Sequence, residues 1–310
     1  MKRITVLGIA CVDVVVSGMQ TLPQAGRLNQ VEAIAMHSGG CAMNVAIDLA
    51  KMGILPKISI PLAEDPFGQF LKETLHTYKL MTDQCMFFNQ PAKTSASVVL
   101  VDQTGERSFL HDPGVNAVFS LEDLPTSLLD DTDILLVTGA LVMKNFDGSP
   151  MATFLKTAQS RGIFTVLDTV DDPTDRWLKV LKPCLPYVDL FVPSETEATR
   201  LSQTTDIEAT IVRLREHGAQ DIIIKLGAKG CLAALASKQI LLPAASVEQV
   251  VDTTGAGDAF VAGLLAGLAH DYPIETALKI ALKTGAQAVT AKGATTGVSA
   301  FNFDLSKEAN

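Results

Sequence analysis

Nine residues near the C-terminal end, Asp252-Thr253-Thr254-Gly255-Ala256-Gly257-Asp258-Ala259-Phe260, constrain this chain more than any other stretch. An apolar run, Val247 to Val251, precedes them with Glu248 and Gln249 inside it. Phe260, Val261, Leu264, Leu265 and Leu268 follow at the three- and four-residue spacing of one helix face. The pattern predicts a strand, a glycine-rich turn and a helix start. Gly255 and Gly257 lack a Cβ, so backbone N–H groups can approach a ligand closely. The helix N-terminus adds unpaired N–H groups and the positive end of a dipole, which together suit an anion such as phosphate. Asp258 then sets a carboxylate beside that anion. This is costly unless the carboxylate accepts a proton, so the combination points to phosphoryl transfer with Asp258 as the base. A local explanation stands beside it, because an acid in a first helical turn also serves as a plain dipole partner. The stretch is neither a GxxxxGK[ST] loop nor a dinucleotide fingerprint, since the third glycine of the latter is missing.

DTTGAGDAF resembles the C-terminal signature of the PfkB, or ribokinase-like, family of carbohydrate kinases. A second match is Gly39-Gly40-Cys41-Ala42-Met43-Asn44, a GGxxxN pattern with Asp13 upstream. Further matches lie between, so the resemblance covers essentially the whole chain. It implies a single ribokinase-like unit over residues 1–310. The expected fold is α/β, with a mainly parallel sheet, helices on both faces and a small β-sheet lid drawn from about 14–37 and 94–111. It implies an ATP-dependent kinase acting on a hydroxyl of a small sugar or sugar acid. Asp258 would be the base, and the N–H groups of Gly255, Ala256 and Gly257 would stabilise the transferring phosphoryl group. Asp13, Gly39, Gly40 and Asn44 would hold the sugar. A nucleoside kinase of the same family and a non-catalytic sugar-binding regulator are the alternatives. The first usually stacks a base on aromatic side chains, which are 5% of this chain; retention of Asp258 with both glycines argues against the second.

The totals agree with such a chain. Three hundred and ten residues at 47% hydrophobic can bury a sizeable core in one large α/β domain or two smaller ones. A net charge of −9 without a Lys/Arg cluster argues against nucleic acid as a partner. Five scattered cysteines, none in CxxC spacing, read as reduced thiols of a cytoplasmic protein. Met1-Lys2-Arg3 and the apolar residues after it are too short for a signal sequence, and no apolar run reaches membrane-spanning length, so no membrane partner is expected.

Along the chain, Ile4–Leu7 reads as a strand, and Leu22 to Met36 carries weak strand signals. Lys57 to Ala63 reads as one strand, with a helix starting at Glu64-Asp65-Pro66-Phe67-Gly68. Thr94–Val101 and Arg107–His111 read as a strand pair turned at 103–106. Both faces of Ser97 to Val101 are apolar, which a lid exposed on its own would not tolerate, so a homodimer through the lid is expected. Beyond Pro113-Gly114, strands at Ile134–Thr138, Phe164–Asp168, Leu190–Val192 and Ile222–Leu226 alternate with helices, the pattern of a parallel sheet. Gly230–Ala236 and Gln239–Pro243 read as a hairpin, and Asp304–Asn310 as a polar tail.

Ser194-Glu195-Thr196-Glu197 is a complete capping box, sufficient without any function. The family pattern there is N-x-x-E, which makes Glu197 an outer-shell magnesium group and leaves Ser194 in a position where the family has Asn. By the same resemblance Lys225, Gly227 and Gly230, with Gly257, lie along the nucleotide. Ala288 and Gly293, with Asp252 and Thr254, would hold a monovalent cation such as K⁺, although Gly297 replaces a serine common at that site. ATP and Mg²⁺ are the cofactors implied. Ribokinases carry an acid just beyond the strand matching Ile134–Thr138, whereas this chain reads Gly139-Ala140-Leu141-Val142, so ribose is not the expected sugar.

Overall fold

The computed structural model describes residues 1–103 and 106–299. The expected turn at 103–106 falls partly outside those residues, and the tail at Asp304–Asn310 wholly so. The strands are β1 (Ile4–Gly8), β2 (Cys11–Met19), β3 (Ala33–Gly39), β4 (Lys57–Ser59), β5 (Pro61–Ala63), β6 (Met86–Phe88), β7 (Ala96–Asp102), β8 (Arg107–Asp112), β9 (Ile134–Ala140), β10 (Phe164–Thr169), β11 (Leu190–Phe191), β12 (Asp221–Lys225), β13 (Cys231–Ala234) and β14 (Gln239–Leu242). The helices are α1 (Cys41–Lys51), α2 (Pro66–Thr77), α3 (Gly114–Val118), α4 (Ser149–Ser160), α5 (Leu178–Leu181), α6 (Glu195–Ser202), α7 (Ile207–Glu216), α8 (Ala256–Ala269) and α9 (Ile274–Ala288).

Among the described residues the large sheet runs β14-β13-β12-β11-β10-β9-β1-β4, parallel from β4 to β12 and closed by the antiparallel hairpin β13–β14. Its central strands β1 and β9 are buried on both faces. Ile134 and Leu136 of β9 enter one core with α1, α2, α8 and α9, while Leu135 and Val137 enter a second core with α4, α6 and α7. The period of two thus divides one strand between two helical layers. Strand order reverses where β1 meets β9, and crevices at such a switch, beyond the strand C-termini, are where open α/β sheets bind ligands.

The lid is a second sheet, ordered β3-β2-β7-β8. Its register aligns Met36, Val14, Val98 and Leu110 on one face, and His37, Asp13, Ser97 and His111 on the other. The apolar face starts against the main core at Val12 and Val14 and ends exposed at Ile34, Met36 and Leu110.

Three expected elements differ. Lys57–Ala63 is two short strands in different sheets, β4 beside β1 and β5 beside β6. The lid strand expected from Leu22 begins only at Ala33, because 20–32 is polar and turn-rich. Val247–Val251 is not a strand. The large sheet already ends at β14, and the Val251 N–H bonds the Val289 carbonyl beyond α9 instead of a ladder partner.

Candidate active site

The helix start expected after Gly255 is the N-terminus of α8, and Asp258 is its third residue. Gly255 has φ of 76°, and a Cβ there would meet the Ala294 carbonyl at 2.2 Å, so this turn accepts only glycine. Gly255, Ala256, Gly257 and Asp258 line a cleft of about 590 Å³ with Ser194, Glu197, Lys225, Gly227 and Gly230. Val247 and Val250 line it too, which is what the irregular segment before the motif does. Lys225 enters from the end of β12, and a Cβ on Gly257 would lie 3.7 Å from its Nζ. A fixed cation therefore stands beside the N–H groups of the turn.

Lys225 is paired with Asp168, from the end of β10, at 2.5 Å, with both side chains largely out of solvent. Burial disfavours the ammonium charge, but Asp168 and then Glu197 outweigh it and hold the Lys225 pKa above its ordinary value. Glu197 Oε2 accepts from the Ser194 N–H at 2.8 Å and from Thr169 Oγ1 at 2.9 Å, while Ser194 Oγ accepts from the Glu197 N–H. The capping box is formed, and it also fixes a half-buried carboxylate at the cleft wall. Burial raises the Glu197 pKa against the pull of Lys225.

Asp258 is pushed up to about 6, first by burial; the Asn44 hydrogen bond and Lys225 lower it and Asp168 raises it. Asn44 reaches it from α1, its Nδ2 donating to Asp258 Oδ2 at 2.8 Å. Cys41, Asp168 and Asp258 each bring a donor atom within 4.8 Å of the others. Gly40 has φ of 89°, and a Cβ there would strike Ala10 Cα at 2.5 Å, so the link between β1 and β2 and the start of α1 close together only with glycine at that point. Gly39, which precedes it, ends β3 opposite Cys11. Asp13 lies on the polar face of the lid sheet, where burial raises its pKa while Cys11 and Ser97 hydrogen bonds and the charges of His111 and His37 lower it.

Asp252 Oδ1 accepts from the Thr254 N–H, and Oδ2 from the Gly293 N–H at 2.9 Å. Arg107 of β8 closes on the same carboxylate at 2.7 Å and on the Thr254 hydroxyl. Burial opposes the Asp252 charge, but these donors hold its pKa well below the usual carboxylate range. Ala288 ends α9 beside this loop. A serine at 297 would bring its Cβ within 2.3 Å of the Gln287 carbonyl, so glycine is required here.

Arg107 and Asp168 are the residues that sequence reasoning passed over. Asp168 carried one signal, an acid at the C-terminal end of a parallel strand. Arg107 carried none, because its partners lie at a sequence distance of about 145.

A model of the pfkB family carbohydrate kinases matches residues 1–300. The chain belongs to this family. It is 33% identical to the fructokinase of Klebsiella pneumoniae over 96% of both chains, and 31% identical to that of Salmonella typhimurium over 99% of both. A Vibrio cholerae fructokinase double mutant, solved with fructose, ADP and potassium ion, superposes with a TM-score of 0.78 at 25% identity, covering 97% of this chain and 96% of that one. Arabidopsis thaliana ribokinase, solved with ribose and ATP, superposes at 0.82 with 24% identity over 96% of both chains and shares the fold. The protein is an ATP-dependent carbohydrate kinase of ribokinase-like fold, and the nucleoside-kinase and non-catalytic readings are not favoured. Among the described residues no helix is long and apolar enough to cross a membrane.

Proposed function

We propose that this kinase transfers the γ-phosphoryl group of ATP to a hydroxyl of a small ketose, with fructose the first candidate. The observation that carries the mechanism is Asp258, raised to about 6 at the N-terminus of α8, held by Asn44 and facing the cleft that Lys225 enters. A carboxylate of that basicity takes the hydroxyl proton as the oxygen attacks phosphorus. The N–H groups of Gly255, Ala256 and Gly257 receive the charge of the transferring group, and the Lys225 ammonium stands beside them. Ser194, Gly227 and Gly230 form the nucleotide's side of the cleft. Asp13, Gly39, Gly40 and Asn44 form the sugar's side.

The buried carboxylate of Asp168 and the half-buried one of Glu197 are hard oxygen donors that would hold magnesium, which as the ATP complex would neutralise phosphate charge. The ionised Asp252, with carbonyls around Thr254, Ala288 and Gly293, suits a monovalent cation, as does the potassium-bound relative. The chain works as one unit over 1–310, in the cytoplasm, without nucleic acid or membrane partners. It forms a homodimer through the apolar lid face that ends at Ile34, Met36 and Leu110.

Two observations favour fructose over ribose. The Klebsiella pneumoniae and Salmonella typhimurium relatives, 33% and 31% identical, are fructokinases. Beyond β9 the acid that ribokinases use is missing; Asp147 instead folds back, accepting from the Leu141 N–H at 3.0 Å, and Asp112 Oδ1 is occupied by the Gly114 N–H. A hydrogen bond to a charged group contributes about 1.5–3 kcal/mol, so ribose should be weaker by roughly ten- to a hundredfold. The test is kcat/KM for fructose, ribose, 2-keto-3-deoxygluconate and a nucleoside in one coupled assay. A clear preference for ribose would overturn the substrate reading.

A further inference from the structure

The α1 helix is enclosed over Ala42–Leu49, and two of those eight side chains are polar, Asn44 and Asp48. Asp48 has no exposed surface, and neither of its carboxylate oxygens has a hydrogen-bond partner. Asn44 Oδ1 is also buried without a partner, although Asn44 Nδ2 is committed to Asp258. Three orphaned acceptor atoms thus sit on one helix at i and i+4. Side chains at that spacing lie on the same face, with Cβ atoms about 5–6 Å apart. A buried polar atom is ordinarily paired, so three such acceptors without a donor mark a hydrogen atom that heavy-atom positions do not display. A neutral carboxyl group supplies it, and one O–H pairs two of the three.

Resting on the assignment of Asp258 as the base, we propose that Asp48 is a positioning residue: it keeps its proton in the folded kinase and donates it to Asn44 Oδ1, fixing the Asn44 amide so that Nδ2 faces Asp258. The chain then runs from Asp48 O–H to Asn44 Oδ1, and from Asn44 Nδ2–H to Asp258 Oδ2. Asp258 already selects the donating end of the Asn44 amide, since a flipped amide would turn its oxygen on the carboxylate, and the Asp48 link holds the same orientation from the other end. The ionisable groups that act on Asp48 are Lys51 on its own helix and Asp258 on α8. Lys51 does not neutralise it by contact, since neither Asp48 oxygen has a partner and the Lys51 Nζ reaches the Thr295 carbonyl at 2.5 Å instead. Burial pushes Asp48 up to about 8; Lys51 lowers it and Asp258 raises it further. The two facing acids therefore divide the work. Asp48 stays neutral and donates, and Asp258 ionises and accepts, which is how paired carboxyl groups acquire separate roles.

The test is kcat and KM across pH 5.5–9.5 for the wild type, Asp48→Asn and Asp48→Ala, with the thermal midpoint of each variant measured over the same range. The wild type should lose kcat above about pH 8 as Asp48 ionises. Asp48→Asn supplies an N–H in place of the O–H, so it should rescue turnover to within about threefold and remove that alkaline fall. Asp48→Ala should lower kcat about tenfold at every pH and raise KM for sugar, because Asn44 also stands on the sugar's side of the site. Should Asp48→Ala not fold, the alkaline limb of Asp48→Asn against the wild type decides alone. The proposal is overturned by an alkaline limb that persists in Asp48→Asn, or by an Asp48→Ala variant with wild-type kcat. Failure of the base assignment shows separately, as an Asp258→Asn enzyme that turns over normally while the pH effects at position 48 remain.

Discussion

Replacing Asp258 by Asn should inactivate the kinase and make it more stable. The side chain is nearly isosteric, and its oxygen can still accept from Asn44 Nδ2, which now lies 2.8 Å away. What is removed is a charge that the fold tolerates at a cost. The Asp258 carboxyl moves from an ordinary 3.8 to about 6, chiefly by burial. The folded state therefore keeps a proton that the unfolded chain releases between about pH 4 and 6. Stability falls as pH rises through that window and is level above it. At about 1.4 kcal/mol per pH unit the whole loss is about 3 kcal/mol, and Asn does not suffer it. For a chain of this size, roughly 2 °C per kcal/mol places the variant about 6 °C above the wild type at pH 7.5. The difference should close toward pH 4. Loss of a general base costs about 10²–10⁴ in kcat, and wild-type kcat/KM should fall below about pH 6 as the base is protonated. Scanning calorimetry from pH 4 to 8 and a coupled ADP assay are the measurements. A variant whose melting curve tracks the wild type at every pH would refute the burial argument, and wild-type turnover would refute the base.

Glu197→Gln keeps the capping box, so its melting temperature should hold within about 2 °C while the magnesium concentration needed for half-maximal rate rises; an unchanged magnesium titration leaves Glu197 a cap alone. Arg107→Gln removes the lid's hold on Asp252 and should raise KM for sugar several-fold with kcat less affected; a KM equal to the wild type would show that the contact does not hold the lid. Ile34→Lys and Leu110→Lys place charges on the exposed lid face and should convert a dimer to a monomer by light scattering, whereas a monomeric wild type would remove the dimer from the account.

The turn and helix around Gly255–Asp258 follow from local sequence, because glycine at positive φ and an apolar i, i+3, i+4 face are local properties. Local sequence likewise determined β9, β10 and β12 and the hairpin β13–β14, whose apolar runs and turns are contiguous. It determined the capping box of Ser194 and Glu197, since four consecutive residues complete it. The remaining features depend on contacts between distant segments. Whether Val247–Val251 became a strand depended on a sheet edge already ended by β14, and no run of valines carries that information. The site is assembled from groups far apart in the chain: Asn44 meets Asp258, Lys225 meets Asp168, and Arg107 leaves the lid for Asp252. Asp48 shows the limit most clearly. In the sequence it is one acid among 34 Asp and Glu. Only the packing of other elements around α1 strips its solvent, and the loss of solvent is what turns an ordinary carboxylate into a group that keeps its proton.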